Sequence, residues 1–142
     1  MNDKWIPSTN LDLIDVINTH SIKGVQVGSP ESVVLEIMGA AQLPATKLSK
    51  KSKVLHHLYG NVNVLSENGY VIAINIDFHS NRTEMVAIGE IDSWGIDDWM
   101  QLAKKEGWIV TKTEDVIQCV GNGIMISLSR AGEVGLLSLR SC

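Results

Sequence analysis

The chain has 142 residues, which fits one domain with its own core, since domains most often run to about 100–150 residues. With 44% hydrophobic and 20% charged residues its composition is globular, not disordered. The 16 acidic and 12 basic residues leave a net charge of -4, which argues against non-specific nucleic-acid binding, an interaction driven by positive charge.

Ser8-Thr9-Asn10 is a cluster of helix-capping residues, and Leu11, Ile14 and Ile17 then recur at helical spacing. A first helix is therefore expected from about residue 10 to His20, ended by Lys23-Gly24. Ser29-Pro30-Glu31 predicts the start of a second helix, with Ser29 as cap and Pro30 at the first helical position, where no amide hydrogen is needed. Val33, Val34, Ile37 and Met38 form its apolar face, and Gly39 suits the left-handed position beyond its end. The stretch from Leu43 to Lys53 holds Pro44 and four lysines, Lys47, Lys50, Lys51 and Lys53, and reads as an exposed loop.

The period then changes from helical to alternating. Strands are expected at Leu55–Tyr59, Asn61–Leu65 and Tyr70–Phe78, the last two joined at Glu67-Asn68-Gly69, because Asn and Gly tolerate positive φ in a tight hairpin. In Tyr70–Phe78 strict alternation places Ile72, Ile74, Ile76 and Phe78 on one face, with Val71, Ala73, Asn75 and Asp77 on the other. Met85–Ile88 is a candidate short strand. A third helix carries Ile96, Trp99, Met100 and Ala103 on one stripe, with Ser93 or Asp92 as its cap. Its first turn has Asp97 and Asp98, and its last has Lys104 and Lys105 ahead of Gly107, charge placements that suit the helix dipole. The remainder reads as β-structure: Trp108–Lys112, Val116–Val120, a turn at Gly121-Asn122-Gly123, Ile124–Ser129, a turn at Ala131-Gly132-Glu133, and Val134–Arg140. Leu136, Leu137 and Leu139 make the last of these apolar enough to suggest an exposed strand edge sheltered by a neighbour.

The pattern of capped helix followed by strands occurs twice, in Ser29–Phe78 and in Ser93–Arg140. The expected fold is therefore a single α+β domain over residues 1–142. It comprises two similar helix-plus-antiparallel-strand halves, about residues 10–80 and 90–142, that share one core, with helices packed on one side of a curved antiparallel sheet.

Few residues point to chemistry. The sequence contains neither a G-x-S-x-G nor an S-x-x-K motif, and Cys119 has no nearby His in sequence. Cys119 and Cys142 are expected to be free thiols. His56 and His57 adjoin, but neighbours on a strand point to opposite faces and cannot chelate one metal together. Gly121-Asn122-Gly123 precedes a strand and not a helix, so it is not a phosphate-binding fingerprint. No metal, cofactor or catalytic residue is expected. The polar start lacks the apolar core of a secretory leader, and no apolar run nears the roughly 20 residues of a membrane span, so the expected location is cytoplasmic, without membrane contact.

The informative segment runs from Glu84 to Asp98, which holds five acids and no base, with Trp94 among them. Glu90, Asp92, Trp94, Asp97 and Asp98 are therefore the candidate partner-binding residues, because aromatics ringed by acids suit a basic protein surface. The alternative is structural: acids that cap a helix, Trp99 in the core, and Trp94 packed where the helix begins.

Three runs carry a family resemblance: Gly28-Ser29-Pro30-Glu31-Ser32-Val33-Val34, Leu58-Tyr59-Gly60-Asn61-Val62-Asn63-Val64, and Asn68-Gly69 through Phe78. Together with the second half, from Trp99 through Gly107-Trp108 and the Val116–Ser129 hairpin, they make the chain resemble the immunity proteins of bacterial polymorphic toxin systems, including contact-dependent growth inhibition. The resemblance implies a cytoplasmic, stoichiometric inhibitor that binds one cognate toxin domain, in this family often a nuclease, and performs no chemistry. It carries over no set of contact residues. Two other expectations stay open: a small enzyme of unrecognised type, and a self-associating protein, so that the chain is a monomer or a homodimer.

Overall fold

The computed structural model describes residues 10–42, 46–47, 51, 53–79 and 83–140, with 46–47 described as backbone. Ser8-Thr9 of the first cap, most of the lysine-rich loop, Arg82 and Cys142 lie outside the described residues.

The chain is α+β. Its elements in order are β1 (Leu11–Asp12), α1 (Leu13–Thr19), α2 (Glu31–Met38), β2 (Thr46–Lys47), β3 (Val54–Tyr59), β4 (Val62–Glu67), β5 (Tyr70–Asp77), β6 (Val86–Ala87), a 3-10 helix (Gly89–Ser93), α3 (Ile96–Glu106), β7 (Ile109–Lys112), β8 (Val116–Gly121), β9 (Ile124–Ser129) and β10 (Val134–Arg140). One antiparallel sheet runs in the order β2-β3-β4-β5-β10-β9-β8-β7. Two meanders thus meet where their last strands pair, Ser138 opposite Asn75 and Leu137 opposite Ile76.

Local chemistry explains most of the elements. The β4–β5 turn places Asn68 at φ 54 and Gly69 at φ 83, and the β8–β9 turn places Asn122 at φ 51 and Gly123 at φ 80. Paired positive φ values are what a two-residue hairpin with the correct twist requires. Gly107 ends α3 in the left-handed conformation, φ 74 and ψ 25, with Lys104 and Lys105 in the last turn. All three helices send apolar residues into one cluster with the inner face of the sheet: Val16 and Ile17 from α1, Val34 and Met38 from α2, and Trp99 and Ala103 from α3. They pack there with Val64, Ile74, Ile76, Ile126 and Leu137, all fully buried. No helix among the described residues is long and apolar enough to cross a membrane.

Four expectations are corrected. The first helix begins at Leu13, because Leu11 and Asp12 pair in parallel with Val86 and Ala87, and the Leu11 amide donates to the Met85 carbonyl at 3.0 Å. The second helix begins one residue late: Pro30 is its extended N-cap residue, and the Ser29 hydroxyl accepts from the Gln26 amide at 3.0 Å in place of capping. The Glu31 amide, left over by that choice, donates to the Gly69 carbonyl at 2.8 Å and ties the helix to the hairpin. The faces of β5 do not follow strict alternation, because Leu65 opposes Ala73 while Ser66 opposes Val71. Ile72 is the extra residue of a bulge, so Val71 turns into the core and Ile72 is 36% exposed. Finally, β10 is no edge. It lies between β5 and β9, with Leu137 and Leu139 in the core; the edge strands are β2 and β7.

One buried side chain attaches the crossover segment to the sheet. Asn61, in the β3–β4 turn, donates from Nδ2 to the Val86 carbonyl at 2.9 Å. Its Oδ1 accepts from the Met85 and Val86 amides at 2.9 and 3.2 Å. Its backbone amide donates to the Thr83 carbonyl at 3.0 Å. Asn61→Ala keeps the bond to Thr83 but strands the buried Met85 and Val86 backbone groups, and is expected to lower stability by about 3 kcal/mol, the upper end for unsatisfied buried amide partners. Urea denaturation checks this: the midpoint falls while the slope stays unchanged.

Candidate functional site

The end of β5, the 3-10 helix and the start of β10 enclose a groove of about 400 Å³. Phe78, Ile88, Ile91 and Val134 give it apolar walls, and His79, Asp92, Trp94 and Glu133 give it polar and aromatic ones. Ile91 and Val134 are buried, Phe78, Ile88 and Trp94 half-buried, and His79, Asp92 and Glu133 exposed.

Trp99 organises this region. It is fully buried, and its indole N–H donates to the Gly132 carbonyl at 3.0 Å, which pins the β9–β10 connection against α3. Trp94 meets Trp99 edge to face, with ring centroids 4.9 Å apart and an interplanar angle of 69°, a favourable aromatic arrangement. One side of the Trp94 ring packs where α3 begins, as the structural reading expected, and the half-buried remainder lines the groove. Gly132 has φ 92, and a Cβ there would lie 2.7 Å from the Ile96 amide nitrogen, so the connection can approach the helix only with glycine at this position.

Of the five residues singled out from the sequence, Asp92 and Trp94 come together in the groove. Glu90 lies on the same 3-10 helix but outside the groove lining, and Asp97 and Asp98 lie in the first turn of α3. Asp98 serves the helix itself, since its carboxylate accepts from the Gly95 amide at 2.9 Å. Gly95 is the N-cap residue of α3, in place of Ser93 or Asp92, because residues 89–93 form their own short helix and the Ser93 hydroxyl donates to the Glu90 carbonyl at 2.9 Å. Glu133 was not singled out from the sequence. It sits in a turn about forty positions away from Asp92, and only the strand order brings the two into one groove.

Reactive side chains elsewhere are built into the scaffold. Adjacent histidines diverge: His57 faces the core at 4% exposure, whereas His56 is half-buried and has Nδ1 2.9 Å from the Asn63 amide nitrogen. His57 Nε2 lies 2.9 Å from Ser66 Oγ and 3.3 Å from Glu31 Oε1. A catalytic triad needs its serine and its carboxylate on opposite ring nitrogens. Here both meet Nε2, and Ser66 is fully buried, so the trio braces β3 and β4 against the first turn of α2. Cys119 is fully buried on β8, and burial pushes its thiol above the ordinary pKa, which lowers the thiolate fraction that reactivity needs. Among the described residues no three His, Cys, Asp or Glu side chains gather into a metal-ligand set.

Two outcomes are expected. Gly132→Ala strains a left-handed backbone and crowds α3, with a loss of roughly 2 kcal/mol in chemical denaturation and a change in tryptophan near-UV dichroism. In a Cys142→Ser variant, Cys119 reacts with an aromatic disulfide reagent only at urea concentrations that unfold the protein. Reaction of the folded protein at the rate of a free thiol contradicts the assignment of Cys119 to the core. No protein-family model, curated protein or solved structure matches this chain.

Proposed function

We propose that this chain is an immunity-type inhibitor that binds one toxin domain stoichiometrically and carries out no covalent chemistry. The observation that carries the reading is the groove beside Trp94, where a half-buried aromatic and exposed carboxylates share a preformed concavity. The resemblance of the Gly28–Val34, Leu58–Val64 and Asn68–Phe78 runs to immunity proteins supplies the class of partner. The reading extends to a cytoplasmic site of action, and to a protein partner in place of nucleic acid or membrane.

Two similar halves are part of this proposal. The strand order supports them: α2 precedes the β2–β5 meander, α3 precedes the β7–β10 meander, and the last strand of each pairs with the other. Self-association is a second reading, and its place moves from β10 to the edge strand β7, where Ile109 is 72% exposed beside Val120 at 42%. Light scattering on the purified protein decides between monomer and dimer.

The direct test is co-expression with the toxic C-terminal domain of a secreted protein encoded beside this gene. Restored growth and a one-to-one complex by calorimetry are expected; continued toxicity despite soluble expression of both chains refutes the reading. Because Asp98 caps α3, the discriminating variant is Trp94→Ala with Asp92→Lys. It is expected to weaken the complex by about 2 kcal/mol or more, as interface hot spots do. An unchanged dissociation constant in the folded double variant moves the interface elsewhere.

A further inference from the structure

We infer that the groove seats one basic side chain of the partner, an arginine or lysine whose aliphatic stem lies along the apolar walls and whose charged head meets Asp92 and Glu133. This rests on the reading of the chain as a protein-binding module and names the chemistry that the groove recognises. Three observations lead to it.

The first is charge. Asp92 and Glu133 are both exposed, and neither has an ion-pair partner among the described residues. The nearest basic residue along the chain to Glu133, Arg130, is turned elsewhere: its guanidinium donates to the Thr113 carbonyl at 2.8 Å. An apolar anchor pressed into the groove would strip water from both carboxylates and offer them nothing in return, which is unfavourable. A cation satisfies them.

The second is shape and surface. A long side chain with a charged end needs an apolar channel and a polar mouth. Ile91 and Val134 are buried in the groove wall while the two carboxylates stand exposed at its surface. Trp94 adds an aromatic ring, toward whose face a guanidinium or ammonium is drawn.

The third is preorganisation. The Glu133 amide donates to Ser129 Oγ at 3.1 Å and its carbonyl accepts from the Ser129 amide at 2.8 Å, so the side chain leaves a turn fixed on both sides. Asp92 leaves a turn held by the Trp94 amide on the Ile91 carbonyl at 2.9 Å and by the Ser93 hydroxyl on the Glu90 carbonyl. The bond from Trp99 to Gly132 fixes the β9–β10 connection against the helix beside them. Little ordering is left to occur on binding, which favours affinity.

The experiment needs no toxin. The probes are capped tripeptides, glycine–X–glycine, with X as arginine, lysine, citrulline or norleucine, titrated into the full-length protein at low salt. The Trp94 indole N–H and the His79 ring are followed by NMR. Saturable shifts of both signals with the arginine and lysine peptides, fading as salt is raised, are expected. Asp92→Asn and Glu133→Gln are each expected to weaken this binding about three- to fivefold, the scale of a partly exposed ion pair. Glu90→Gln and Asp97→Asn remove equal charge outside the groove and are expected to leave it unchanged. Equal binding of the citrulline peptide overturns the proposal, as does equal weakening by the two outside variants, or the absence of saturable shifts in a protein whose spectrum shows it folded. The two readings fail separately. Cationic peptides that bind a protein unable to neutralise any toxin leave the groove assignment standing. A neutralised toxin whose affinity ignores both Asp92→Asn and Glu133→Gln removes the groove and keeps the inhibitor.

Discussion

The arrangement of the whole chain depends on a single buried amide. Asn61 substitutes for a strand partner: its side chain offers a carbonyl and an N–H to the backbone at Met85 and Val86, as a neighbouring strand would. With that attachment made, Val86 and Ala87 can pair in parallel with Leu11 and Asp12, and α1 follows immediately from the pairing. On the other side the same segment runs straight into the 3-10 helix that carries Asp92. A side chain in the β3–β4 turn therefore sets both where the N-terminal helix starts and where one wall of the groove stands. Buried amides of this kind are unforgiving, because a low-dielectric interior strengthens each satisfied bond and penalises each orphan.

The two tryptophans near the groove have separate roles. Trp99 is scaffold: buried, edge to face with its neighbour, its N–H tied to the β9–β10 connection. Trp94 is the ring with surface left over. The division follows from position, since Trp99 falls on the apolar stripe of α3 whereas Trp94 precedes the helix and has no stripe to join. Gly132 makes the arrangement possible, since any larger residue would hold the connection, and Glu133 with it, away from the helix.

The sequence was most legible where a feature depends on adjacent residues. Asn68-Gly69 and Asn122-Gly123 show their turns because positive φ excludes most other pairs, and Gly107 marks the end of α3 for the same reason. Legibility fell where a competing backbone partner overrode the expected local preference. Ser29 reads as a cap until Gln26 claims its hydroxyl, and Ile72 reads as core until a bulge against β4 turns it outward. The centrality of β10 was hidden because leucines suit a shielded edge and a central strand equally well. At the candidate site, Asp92 and Trp94 stood out as an acid and an aromatic close in sequence. Glu133 did not, because no local pattern marks a turn residue as the neighbour of another segment.

The junction between the meanders also shapes how the molecule assembles. Every other pairing in the main sheet joins strands that are consecutive in the chain, but β5 and β10 meet across a wide gap, with Asn75 and the Ser138 hydroxyl bonded at a separation of 63 residues. Pairings between close neighbours form quickly, whereas closing a long loop is entropically uphill until its contacts are made. During synthesis the first meander therefore exists before its partner strand emerges from the ribosome, with the β5 edge open. The backbone of β5 from Ala73 to Ile76, which pairs with Leu137–Arg140 in the finished fold, is then the open stretch, whereas the start of the strand is already covered on that side, because Gly28 and Ser29 bond to the Val71 backbone. Closure of this one seam is the step that turns two nascent sheets into a single continuous one.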